Sequence, residues 1–332
     1  MSCAYLAFTD RGLALAHRLS QAQPGSVERC GKDGVRLADW TSRNFALCEA
    51  LVFVGAVGIA VRAIAPHCRS KATDPAVVVV DEAGQFAIPV LSGHLGGANA
   101  LARTLAAACG AVPVITTATD VRGVFAVDEW AKQAGCAVLE PERIKKVSGR
   151  LLAGEPVGFW SEFPVNGTPP AGVSPAPSQQ QADFALTLFP QGEGLHLVPV
   201  IGVLGVGCRR GTTAQQLEAA FAAFCARYAL SPRCICAAAS IDLKQNEAGL
   251  LEFCAAHRWA VSFYSAGQLK AVPGNFTPSA FVCSVTGVDN VCERAAALAA
   301  GGTIRIPKQA ADGVTFALAL RPYAPDWRNQ NG

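Results

Sequence analysis

Leu51-Val52-Phe53-Val54-Gly55-Ala56-Val57-Gly58 is the stretch whose reading decides the fold. Four apolar residues with no polar alternation suit a strand covered on both faces, and the glycines behind them mark a turn into a helix carrying Arg62. Upstream, residues 4–9 read as a short strand and residues 11–20 as a helix, with Leu13, Ala16, His17 and Leu19 on one face. A second strand near 26–30 and a helix over about 39–50 complete a β-α-β-α-β order. That order predicts a parallel sheet with helices on both faces.

Downstream, strands at 76–80 and 86–91 flank the turn 81–85. Leu91-Ser92-Gly93-His94-Leu95-Gly96-Gly97-Ala98-Asn99 then leads into a helix over 98–109 closed by Gly110, and a strand over 112–116 runs into Thr117-Ala118-Thr119-Asp120. Polar residues stand at the ends of apolar runs, where strand ends and helix starts of an α/β sheet form sites. Between about 141 and 189 the pattern loosens into a helix-like piece with Lys145 and Lys146, a strand-like 156–160, and a Pro/Gly/Ser/Gln tract over 166–181, read as a linker or surface excursion.

The second half restarts with a buried strand at 197–204, a glycine loop at 205–213, and a helix to Tyr228 whose start is fixed by the capping-box pair Thr213 and Gln216. Strands follow at 234–239, 259–263 and 314–320, with a turn at 240–247 and a helix at 291–298. The expected fold is α/β: two α/β domains with mostly parallel sheets, joined by a small middle region. The boundaries fall at 1–135, 136–194, 195–322 and a tail at 323–332.

With 51% hydrophobic and 16% charged residues in 332, the chain can bury a large core. No uninterrupted apolar run reaches the 18 or so residues of a membrane span, and Met1-Ser2-Cys3-Ala4-Tyr5 lacks the pattern of a signal peptide, so a soluble, cytoplasmic protein is expected. Thirteen cysteines are scattered through apolar segments and read as core residues, and the five histidines form no ligand spacing, so no protein-bound metal is expected. A net charge of +3 without a basic run gives no case for nucleic acid.

Gly205-x-Gly207-x-x-x-Gly211 lacks the ending of a phosphate-binding loop and is one residue longer than the dinucleotide fingerprint. Cys208 stands ahead of a helix, where a dipole lowers thiol pKa, yet no histidine is near it in sequence. Arg209 and Arg210 fit either solvated surface or carboxylate recognition. Ser92 and His94 do not form G-x-S-x-G. Two readings of His94 stand side by side, a loop hydrogen bond and a catalytic imidazole, and Asp120 is equally a helix cap. Residue chemistry alone gives a cation-bearing site for a carboxylate-rich ligand and no named reaction.

Val54-Gly55-Ala56-Val57-Gly58-Ile59-Ala60-Val61-Arg62, Lys71-Ala72-Thr73-Asp74-Pro75-Ala76-Val77, the stretch from Leu91 to Asn99, and Val114-Ile115-Thr116-Thr117-Ala118-Thr119-Asp120 resemble the N-terminal signature of the CbiG family, the cobalt-precorrin-5A hydrolases of anaerobic cobalamin synthesis. Gly205-Val206-Gly207-Cys208-Arg209-Arg210-Gly211, Ser240-Ile241-Asp242-x-Lys244-x-x-Glu247 and Val291-x-Glu293-x-Ala295-Ala296-Ala297-Leu298 are similar to its C-terminal domain. The middle region matches only in placement.

The resemblance implies a cobalt-containing ring with many acetate and propionate arms and a lactone between a ring A acetate and carbon 20. Water opens the lactone, and carbon 20 leaves as acetaldehyde. Cobalt belongs to the substrate, so no cofactor is implied. On this reading Arg62, Lys71, Arg209, Arg210 and Lys244 hold carboxylates, and Asp74, Ser92, Thr117 and Glu247 join them in substrate binding. His94 is assigned as the base, since an ordinary imidazole pKa of about 6.5 suits proton transfer near neutrality. Gly96 and Gly97 offer N–H groups to the oxyanion, Asn99 donates to the lactone carbonyl, and Asp120 orients His94 or is itself the base. Partners are the corrinoid substrate and neighbouring pathway enzymes, with no membrane, and homodimerisation stays open. The rival reading is a non-catalytic corrinoid-binding or hand-over protein, and a nucleotide-dependent enzyme comes third.

Overall fold

A computed structural model describes residues 1–31, 34–70 and 73–327. Contacts divide the chain into two compact units, one of residues 1–132 with 144–155, the other of residues 133–143 with 156 onward.

The first unit runs β1 (Cys3–Ala7), α1 (Asp10–Ala22), β2 (Ser26–Arg29), α2 (Leu37–Leu47), β3 (Ala50–Val54), α3 (Val57–Ile64), β4 (Ala76–Val80), β5 (Phe86–Leu91), α4 (Ala98–Cys109), β6 (Val112–Pro113), α5 (Ala118–Arg122) and α6 (Val127–Gln133). Its sheet has the order β2-β1-β3-β4-β5-β6, parallel except for the β4–β5 hairpin. β1, β3 and β4 are buried along their whole length, as uninterrupted apolar runs require. One face packs Leu19, Val52, Val78 and Leu105; the other packs Leu51, Val79, and Trp40 edge-on to Phe53. Each such side chain contributes about 1.5–3 kcal/mol of apolar transfer. Gly110 ends α4 at φ 75°, a left-handed conformation in which glycine avoids a Cβ clash. The expected strand at 112–116 is shorter, ending at Pro113, which leaves 114–117 free to lead into α5.

The second unit begins with β7 (Cys136–Val138), after which α7 (Ile144–Leu152) belongs with the first unit. β8 (Val157–Ser161), β9 (Val173–Pro175), β10 (Phe184–Leu186) and β11 (Leu195–Pro199) follow, in the sheet order β7-β11-β10-β8-β9. The tract at 166–181, read as linker, therefore supplies an edge strand, where its prolines are tolerated. The apolar run 197–204 is two strands, because Val200 and Ile201 separate β11 from β12 (Gly202–Cys208), which starts a different sheet.

That third sheet collects α8 (Ala214–Tyr228), β13 (Ile235–Ile241), α9 (Ala248–Ala256), β14 (Ala260–Tyr264), α10 (Ala266–Ala271), α11 (Ala280–Thr286), α12 (Cys292–Ala300), β15 (Thr303–Ala311) and β16 (Val314–Leu320) around β12. Its order is β14-β13-β12-β16-β15, with β16 antiparallel to both neighbours. Gly205 and Gly207, read as loop glycines, lie inside β12. A Cβ at Gly205 would strike the Cys292 carbonyl of α12, and one at Gly207 would strike Thr315 of β16. These glycines permit close packing, and the nucleotide-loop reading falls with them. All thirteen cysteines are free thiols, Cys68 and Cys283 being exposed. Among the described residues, no helix is long and apolar enough to cross a membrane.

Candidate functional site

β5 ends at Leu91, and the chain turns sharply at Ser92, a non-glycine residue at φ 56°. The Ser92 hydroxyl donates to the Asp74 carbonyl at 2.9 Å, while the Asp74 carboxylate accepts from the main-chain N–H groups of Arg69 and Ser70 at 2.8 and 3.0 Å. Both expected substrate-binding residues thus brace loops with their polar atoms. Gly96 packs so tightly on Ser92 that any Cβ there would overlap it, and its carbonyl accepts from the Lys132 ammonium. Gly97, at φ 89°, caps α4, so both glycines stand at the positive end of a 12-residue helix.

His94 projects from this loop into a cluster of charges. Its Nε2 lies 2.8 Å from Asp120 Oδ2 and its Nδ1 lies 3.4 Å from Asp128 Oδ1, and Thr119 Oγ1 is 3.3 Å from Nε2. Asn99, almost fully buried on the first turn of α4, donates to Asp120 Oδ2 and Thr117 Oγ1, both at 3.1 Å. Thr117 caps α5 and gives its own hydroxyl proton to Asp120. One turn beyond Asn99, Arg103 donates to Asp120 Oδ1 and stands 3.5 Å from Glu129 Oε1.

Protonation follows from these partners. Burial alone would lower the His94 pKa, but hydrogen bonds and charge from Asp128, then Asp120, outweigh it and push the ring up to about 9. The base role expected of His94 rested on an ordinary pKa; two carboxylates remove that premise, and at neutral pH the ring is an imidazolium. Burial raises the Asp120 pKa, yet Thr117, His94 and Arg103 together hold it below the usual carboxylate range. Glu129 moves the other way, raised first by burial and then by the Asp120 charge. Ligand-type atoms of His94, Asp120 and Glu129 lie within 4.8 Å of one another, and the positive charge that bridges the two carboxylates is the Arg103 guanidinium.

His94, Asn99, Thr117 and Asp120 are therefore brought together. Arg62 is not: it is exposed on α3, its guanidinium 3.3 Å from the Gly58 carbonyl of its own helix. Lys71 lies outside the described residues. Sequence reasoning missed Arg103, Asp128, Glu129 and Lys132. Arg103 had a signal, since four residues after Asn99 on a helix is the same face; the acids on α6 had none beyond their place in its first turn.

In the second unit, Arg209, Arg210, Lys244 and Lys308 line a cavity of about 770 Å³ with apolar walls from Leu243 and Val285. Lys244 pairs with Glu247 at 2.9 Å, and Glu247 also accepts from the Gly211 N–H at 2.6 Å, so Glu247 acts on the loop as a brace. Arg209, Arg210 and Lys308 make no ion pair among the described residues. Cys208 faces the same space with its thiol pKa raised, chiefly by burial, which argues against a thiolate nucleophile. Glu293, 2% exposed, ties the walls together by accepting from Thr277 N–H and Oγ1, Asn290 Nδ2 and Lys308 N–H at 2.6–3.0 Å.

Matches to known families, not the geometry alone, place the chain among proteins of cobalamin synthesis. Residues 39–120 match the description "Cobalamin synthesis G N-terminal", residues 125–189 "Cobalamin biosynthesis central region", and residues 202–319 "Cobalamin synthesis G C-terminus". The cobalt-precorrin-5A hydrolase of Salmonella typhimurium is 34% identical, with 96% of this chain and 97% of that protein covered. That of Priestia megaterium is 35% identical over 83% of this chain and 79% of its own. The chain belongs to the CbiG family. A solved cobalamin biosynthesis protein G homologue from Sulfolobus solfataricus, 21% identical, superposes with a TM-score of 0.43 over 97% of both chains.

Proposed function

We propose that this protein is a cobalt-precorrin-5A hydrolase that opens the ring A acetate lactone, with carbon 20 leaving as acetaldehyde. The observation that carries the reading is the Asp128–His94–Asp120 clamp on the family's own loop, in a chain related to such hydrolases over nearly its whole length. Lactone hydrolysis develops negative charge on the carbonyl oxygen, then on the departing alkoxide. An imidazolium with carboxylates on both sides is a proton donor suited to the second, and the N–H groups of Gly96 and Gly97 are suited to the first. Asn99 and Asp120 hold the ring in place.

Arg209, Arg210 and Lys308 suit peripheral carboxylates of the macrocycle, and Leu243 and Val285 suit its apolar face. A corrinoid carrier is the alternative that this cavity supports. The protein is given cobalt-precorrin-5A without oxygen, and acetaldehyde is measured while binding is followed in the visible spectrum. Acetaldehyde from the wild type and none from His94→Ala supports the hydrolase. Binding without acetaldehyde from either would establish the carrier.

A further inference from the structure

We propose that Glu129 is the general base that takes the proton of the attacking water, a role that rests on the hydrolase reading above. A base needs an uncommitted lone pair and access to water. Asp120 has neither to spare: Oδ2 meets His94 at 2.8 Å, Asn99 at 3.1 Å and the Thr117 hydroxyl, while Oδ1 meets Arg103. Asp128 Oδ1 is shared between the His94 ring and the Glu129 N–H, and although Oδ2 meets no donor among the described residues, the side chain is only 8% exposed, which keeps water from it. His94 faces a carboxylate from each ring nitrogen, and those carboxylates favour the doubly protonated ring, which has no lone pair to offer.

Glu129 combines an open oxygen with greater access to water. The one polar contact of its carboxylate among the described residues is the 3.5 Å approach of Arg103 to Oε1, which leaves Oε2 without a donor, and its side chain is the most exposed of the three acids at 17%. Burial and the Asp120 charge strengthen it as a proton acceptor. Its place on the first turn of α6 sets it in the same group of atoms as His94, within 4.8 Å.

The step balances without a co-reactant. The water oxygen bonds to the lactone carbonyl carbon as one of its protons passes to Glu129, and the carbonyl π pair moves to oxygen. When the adduct collapses, the C=O re-forms, the bond to the carbon-20 oxygen breaks, and that alkoxide takes the proton of the His94 imidazolium. The products of this step are the ring acetic acid and the carbon-20 carbinol; acetaldehyde leaves only afterwards, when the carbinol loses its O–H proton, its C=O forms, and the electron pair of the bond joining carbon 20 to the macrocycle passes to the macrocycle, which takes up a proton. Glu129 has gained the proton that His94 has lost, so proton return resets the pair.

The test is anaerobic turnover of cobalt-precorrin-5A by wild type, Glu129→Gln and Glu129→Asp, with the ring-opened product read by mass and each variant's thermal unfolding recorded. Glu129→Gln is expected to lose kcat by roughly 10²–10⁴-fold with KM little changed. Glu129→Asp keeps the carboxylate on a shorter arm and is expected to retain more turnover than Gln and the acid limb of the wild-type pH profile. Wild-type turnover together with full activity in folded Glu129→Gln would overturn the role of Glu129 alone. If Gln does not fold, an Asp variant with an unchanged rate and no acid limb overturns it. A wild type that leaves the lactone closed overturns the functional reading, and this role with it.

Discussion

Asp128 faces Nδ1 of His94 across 3.4 Å while Asp120 holds Nε2, so both ring nitrogens meet carboxylates that favour the cationic ring. Its pKa of about 9 in the folded chain, against 6.5 in an unfolded one, corresponds to about 3 kcal/mol of stability. Because the folded value is the higher one, this contribution is complete below pH 6.5 and is lost as pH rises through 9. Urea midpoints of the wild type are expected to fall across that window. In His94→Gln the fall should be absent, and an equal slope in both proteins would refute the linkage.

Removing the Asp128 charge tests which carboxylate does more. Asp128→Asn is expected to lower the His94 pKa by roughly one unit or more, since Asp128 supplies the larger of the two raising effects. The ring protons report this directly in an NMR titration. An unmoved midpoint would mean that Asp120 alone holds the proton.

Gly96 carries no such charge, yet the loop depends on it. A Cβ at that position overlaps Ser92, whose left-handed backbone is already committed by its bond to Asp74. Gly96→Ala is expected to cost about 1–3 kcal/mol, read as a lower unfolding midpoint, and to reduce turnover by displacing His94. Unchanged stability would show that the loop has room that these contacts deny.

Charge reversal in the second unit separates binding from chemistry. Arg210→Glu and Lys308→Glu are each expected to weaken a polycarboxylate corrinoid such as cobyrinic acid by about tenfold or more, and the loss should shrink in high salt. Titration of the visible spectrum gives the affinities. Wild-type affinity in both variants would remove the cavity as the carboxylate site.

Local signals were readable in the chain and distant ones were not. Gly110 as a helix stop and the Thr213–Gln216 box declare themselves within four residues, and both stand where they were expected. His94 and Asp128 are joined only because α6 returns to the loop after β5, and no spacing rule carries that information. A nine-residue strand, β15, was missed because Pro307 interrupts it, a residue allowed there because β15 is the sheet edge. The glycines of β12 misled in the opposite sense: glycine before a helix reads as ligand approach, whereas here the approaching atoms are the protein's own.

The path of the chain through its two compact units has a consequence for synthesis. A ribosome that has delivered residues 1–132 has not delivered α7, and β7 emerges long before β11, with which it pairs from Leu197↔Val138 to Pro199↔Cys136. The early strand must therefore wait, its edge unpaired, while α7, β8, β9 and β10, roughly 60 residues with their loops, leave the exit tunnel at 5–20 residues per second, roughly 3–12 seconds of exposure. Translation slowed between β7 and β11 should for that reason cost soluble yield more than the same slowing placed after β16.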